Sequence, residues 1–210
     1  MPRSNPDSAY FREIQKLYGE TKTFIGEVKN VSPYLASSAN DQLGRAGFLL
    51  IEAVASDDED AFDTNARWAK HQCHFAMAEA AQTGIGGLCQ LLTEFDDDYK
   101  GVPVVDIVDD YIGIRTLRRE IEEELSKDEF HEAEPEEQSR RSRAMFFRLR
   151  DGVRRLDDSR IELDKLKSAQ TREARRFAFK MLVGAVIGLV SVTVAILRLV
   201  GSSAPTNTAP

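Results

Sequence analysis

From Met181 to Leu197 the chain runs seventeen residues without a charge, MLVGAVIGLVSVTVAIL, between Lys180 and Arg198. A helix of this composition has no polar face to turn outward, so it must be enclosed on all sides. At about 1.5 Å of rise per residue the stretch covers about 26 Å, and Phe177, Phe179, Leu199 and Val200 extend it toward the roughly 30 Å of a hydrocarbon core. A soluble core would have to hide it inside a domain that already has amphipathic helices of its own. The expectation is a single-pass membrane anchor over residues 177–200 with a short polar tail, 201–210, behind it.

The flanks orient that anchor. Arg172, Arg175, Arg176 and Lys180 crowd its N-terminal side, and only Arg198 follows it. Positive-inside bias then puts the N-terminal bulk in the cytoplasm, with these cations at the membrane surface. The first fifteen residues show no apolar core of a secretory signal, so none is expected. Cys73 and Cys89, the two cysteines, sit in apolar helical contexts that suit unpaired thiols in a reducing compartment.

The formal net charge of −7 conceals a division. Residues 1–138 carry 13 Lys/Arg against 29 Asp/Glu, whereas residues 139–180 carry 14 against 6. A basic segment before a bilayer is drawn to anionic lipid, and equally it can dock on an acidic bundle. The acidic part argues against nucleic acid as a partner, because phosphate binding needs a positive footprint.

Hydrophobic spacing predicts an all-α chain. Phe11, Ile14, Leu17/Tyr18, Thr21, Phe24/Ile25, Val28 and Val31 recur by threes and fours and end before Pro33. A more apolar second helix carries Leu43 and Phe48 to Val54. Asp57 to Asp60 place carboxylates at the start of a third helix, which is expected to kink or break at Gly84, Gly86 and Gly87. Residues 96–103 read as a turn before a fourth helix reaching Leu125, and Pro135 as the first residue of a last helix. The predicted organisation is an acidic bundle of about four helices over 1–131, a basic juxtamembrane helix over 132–176, and the anchor.

Two features of the last helix point to a homo-oligomer. Leu149, Leu156 and Leu163 recur every seven residues with Leu166 beside them, but Gly152, Ser159 and Glu173 interrupt a sustained seam, so the repeat reads as a partial or transient coiled coil or as a helix packed on the bundle on one side only. Gly184 and Gly188, continued by Ser191 and Ala195, form a small-residue face that lets membrane helices approach closely. In outline a helical bundle, a heptad-bearing helix and an anchor resemble syntaxin-type fusion proteins, but those interruptions depart from their continuous apolar layers.

Catalytic signatures are absent: no phosphate loop, paired Cys-x-x-Cys set, zinc-protease helix or nucleophile elbow occurs. His71 and His74 lie one turn apart but supply two ligands where a structural metal site wants four, so neither metal nor cofactor is expected. Arg67 and His74, seven apart and on one helix face, resemble the Arg-x(4 to 6)-His motif of the HEPN ribonucleases. The resemblance implies a dimer that brings two such pairs to one RNA phosphate. It departs from that family in Trp68 after the arginine and in the motif's place in the third helix. The leading expectation is a non-enzymatic, tail-anchored module that recruits or senses a protein partner through its acidic domain. Alternatives are an oligomerising effector of a defence or toxin system that perturbs the bilayer, and the HEPN-like nuclease.

Overall fold

The computed structural model describes residues 9–32 and 37–201, with side chains as far as Met181 except for Ala174, Ala178 and Lys180. The elements are α1 (Ala9–Val31), α2 (Ser37–Ala55), α3 (Glu59–Asp98), a 3-10 turn (Val104–Asp106), α4 (Tyr111–Leu125), α5 (Asp128–His131) and α6 (Pro135–Gly201). No strand occurs among the described residues, and the chain is an all-α helical bundle. It divides into two units, Met1–Arg160 and Ile161–Pro210, with α6 running through the boundary.

In the first unit α1, α2 and α3 pack on one another. The three-four spacing of α1 becomes its buried face: Phe11, Ile14, Thr21, Phe24, Ile25 and Val28. Thr21 tolerates this because its hydroxyl donates to the Leu17 carbonyl at 2.8 Å. Phe11 and Phe62 sit 5.5 Å apart in a cluster with Ala53, Ala66 and Ala69. The alanines let backbones approach and the phenylalanines fill the space, each buried ring contributing about 1.5–3 kcal/mol. Asp58 caps α3, its carboxylate accepting from the Asp60 N–H at 3.3 Å.

The expected break in α3 does not occur; the helix is continuous for 40 residues. Its glycines serve close packing instead. A Cβ at Gly84 would lie 2.7 Å from the Phe146 ring, and one at Gly87 2.8 Å from Ser32 Cβ. Helix α3 also runs through residues 96–98, which read as turn in sequence. The fourth helix starts later than expected, at Tyr111, because Asp110 adopts φ 62° and interrupts the chain there. Asp tolerates that left-handed conformation better than most residues. Tyr111 then donates to the Asp96 carboxylate and Arg115 contacts the same group at 2.7 Å, bracing α4 against α3.

The first part of α6 belongs to this bundle. Phe146, Leu149 and Leu156 are buried in it, and Gly152 admits Ile114, whose Cγ2 would be 3.2 Å from an added Cβ. Ion pairs complete the docking: Arg141 with Glu124, Arg150 with Glu27 at 3.1 Å, Arg155 with Asp110 at 3.8 Å and Arg160 with Asp98 at 3.4 Å. Up to Arg160, then, basic residues of α6 meet the acidic bundle of the same chain. The compact unit reaches beyond residue 131, where the acidic bundle was expected to end.

In the second unit α6 continues to Gly201. Leu163 is buried, and Ile161, Leu166, Arg172, Arg175, Arg176, Phe177 and Phe179 are exposed. Among the described residues no helix is long and apolar enough to cross a membrane. The side chains of residues 182–210 lie outside the described residues, and with them the expected small face of Gly184, Gly188, Ser191 and Ala195, and the flanking Arg198; so does the side chain of Lys180.

Candidate functional site

The first turn of α6 lies across the middle of α3 and the start of α1, and polar side chains from all three converge there. From α3 come Arg67, Lys70, His71 and His74, recurring by threes and fours and so on one side of the helix. Pro135 opens α6, where a missing N–H costs nothing, and the turn it starts carries Glu136 and Ser139. Tyr10 and Glu13 come from α1.

His74 is the centre. It is 9% exposed, and its Nδ1 lies 3.0 Å from Ser139 Oγ. The Ser139 hydroxyl has one proton, and it donates that proton to the Glu136 carbonyl at 2.9 Å. Nδ1 must therefore be the protonated ring nitrogen that donates to Ser139, which leaves Nε2 with the lone pair. Nε2 is closed off from solvent and has no hydrogen-bond partner; the Glu136 carboxylate is 3.9 Å away. Burial lowers the His74 pKa, and the attraction of Glu136 only partly offsets it. The imidazole is thus held neutral. Lys70 bridges Glu136 at 3.4 Å and Glu13 at 3.6 Å, and although its own burial pulls its pKa down, the two carboxylates hold it above the usual lysine value.

Two open cavities meet at this point. One, of about 420 Å³, is lined by Leu17, Met77, Arg143 and Phe147 together with His74 and Glu136. Two guanidinium groups lie against Phe147, Arg143 at 5.6 Å and Arg150 at 4.6 Å from its ring centre. The other, of about 330 Å³, is lined by Arg67, Lys70, His71 and His74 with Glu136 and Tyr10. Arg67 and His74 therefore do face one cavity, as the seven-residue spacing suggests. They differ in access: Arg67 is exposed, whereas both His74 ring nitrogens are covered.

The chemistry open to this arrangement is limited by where its protons are. Ser139 spends its hydrogen on the backbone and receives one from His74, so the imidazole is not placed to take the serine's proton. His71 packs at a tilt against Trp68, ring centres 5.9 Å apart, while His74 turns to Ser139, so the two histidines do not share a ligand. Among the described residues no three His, Cys, Asp or Glu side chains converge as metal ligands. Cys73, beside His74 in sequence, is buried and its thiol is pushed up to about 12 by desolvation; Cys89 is pushed up to about 11 for the same reason.

Of the other residues singled out in sequence, Leu149 and Leu156 are buried inside the first unit. Ser139, Glu136 and Glu13 were not singled out as partners of His74. Ser139 follows it by 65 residues, and no local pattern marks such a pair. No protein family, curated protein or solved structure matches this chain.

Proposed function

We propose that this protein is a membrane-anchored, non-enzymatic helical module: a compact acidic unit that recruits or senses a protein partner, tethered by the C-terminal part of α6. The uncharged run from Met181 to Leu197 carries this reading, bounded as it is by Lys180 and Arg198. Arg172, Arg175 and Arg176 precede it, which supports a cytoplasmic position for the bundle. The unit before it, residues 1–160, holds 21 Lys/Arg against 32 Asp/Glu and remains acidic after its α6 ion pairs form. That charge favours a partner with a basic face over nucleic acid. The spacing of Gly184 and Gly188, with Ser191 and Ala195, supports a homo-oligomer through the anchor. The buried, proton-donating state of His74 supports a structural role for the polar cluster.

Flotation of membranes from cells expressing the full chain, beside a chain ending at Arg176, tests the reading. The full chain is expected to float and to resist extraction by high salt and alkali, and the shortened one to stay in the soluble fraction. A full chain that leaves the membrane in salt alone would sink the proposal.

A further inference from the structure

Helix α2 is apolar on the side that its own bundle does not use. Ala39, Leu43, Ala46 and Ala53 are buried, yet Phe48 is 60% exposed, Ile51 69% and Val54 51%. At about 100° of turn per residue, Gly44, Phe48, Ile51 and Ala55 fall within about 60° of one another, opposite Ala46 and Ala53. One flank of this stripe carries Arg45 and Glu52, both exposed and neither in an ion pair among the described residues. They are about 10 Å apart along their own helix, too far to neutralise each other.

We propose that this stripe docks on the same stripe of a second copy of the chain, the two α2 helices running antiparallel about a two-fold axis between Leu49 and Leu50. That axis sets Phe48 against Ile51 of the second copy and Gly44 against its Ala55. It also keeps each flank on its own side, so Arg45 comes within about 3 Å of rise of Glu52 of the second copy, and the pair forms twice. On the other flank the same operation brings Val54 level with Gly47 to within about 3 Å of rise, a branched side chain beside a small one. The self-complementary charge is what selects a second copy over a lipid surface. Anionic headgroups would satisfy Arg45 and repel Glu52, whereas an antiparallel copy satisfies both. A single helix pair buries less than the roughly 800 Å² per partner of a standard interface, so the contact is weak in dilute solution and gains from a shared membrane. It involves a surface separate from the anchor.

Disulfide cross-linking of the full chain tests the register. Ile51→Cys alone should give a linked dimer on oxidation, above the background that Cys73 and Cys89 set in the unsubstituted chain. Chains with Gly44→Cys and with Ala55→Cys should link to each other when co-expressed and not to themselves, because like positions lie about 16 Å apart along the pair. Arg45→Glu or Glu52→Arg should each lower the Ile51→Cys dimer about tenfold, by turning two attractive pairs repulsive. The double reversal, or co-expression of the two single reversals, should restore it, which also shows that the variants fold. Self-linking through Gly44→Cys, a dimer indifferent to the single reversals, or no dimer with Ile51→Cys would each overturn the proposal. Membrane flotation of the same samples reads the anchor separately.

Discussion

His74 is neutral in the fold because burial opposes its charge more than Glu136 favours it, with Lys70 and His71 adding to the cost and Glu13 easing it. Its folded pKa lies below the usual value near 6.5, so the unfolded chain binds this proton first. The stability it contributes is whole above that pH and is lost as the pH falls from about 6.5 toward the folded pKa, at up to about 1.4 kcal/mol per pH unit. Urea unfolding at a series of pH values should show that slope, and His74→Gln should flatten it while leaving the carboxylate-driven loss at lower pH. The paired glycines of α3 give a second residue-scale contrast. Gly86 has open space where a Cβ would go, whereas Gly84 faces the buried Phe146 ring. Gly86→Ala should therefore stabilise by up to about 1 kcal/mol through helix propensity. Gly84→Ala should destabilise by about 1–3 kcal/mol through overpacking, a difference in sign that thermal unfolding reads directly.

At the scale of elements, α1, the cap of α3 and the start of α6 at Pro135 are legible from short stretches of sequence. Each depends on chemistry local to a few residues: a three-four repeat, a carboxylate beside free N–H groups, a missing N–H at the first turn. What was not legible depends on contacts between distant segments. Gly84 and Gly87 of α3 look like breakers in one dimension and prove to be approach points for Phe146 of α6 and for Ser32, the residue after α1. The histidine face of α3 was visible, but not that Ser139 would fix its tautomer. The seven-residue leucine repeat suits a partial oligomer seam and one-sided packing on the bundle alike, because a repeat cannot say whether its partner lies in the same chain. Leu149 is fully buried among the chain's own helices. Leu149→Ala should accordingly lower the unfolding free energy by about 2–5 kcal/mol at any protein concentration. A residue serving only between chains would instead move the monomer–oligomer balance and leave the monomer's unfolding unchanged.

For the whole molecule, charge is distributed in three steps along the chain: an acidic bundle, a basic half of α6 that partly neutralises it up to Arg160, and a further basic stretch before the uncharged run. Residues 161–180 hold 6 Lys/Arg against 3 Asp/Glu, and four of those six crowd into 172–180. The basic residues up to Arg160 that pair with the bundle are engaged in holding the fold, so the orientation of the anchor proposed above would fall to Arg172, Arg175, Arg176 and Lys180. Such cations resist transfer across the bilayer, and loops within about 15–20 residues of a span dominate that bias. In sealed inside-out vesicles, protease should therefore degrade the bundle, and in right-side-out vesicles it should leave the bundle intact. Replacing Arg176 by alanine should increase the protected fraction in inside-out vesicles by weakening the bias. The ion pairs before Arg160 provide the control, since Arg150→Ala removes a cation of equal charge that is already paired with Glu27 at 3.1 Å and lies far from the span. It should loosen the fold slightly and leave orientation as it was; an equal shift from both variants would mean that total positive charge, and not its position against the bilayer, decides which way the chain faces.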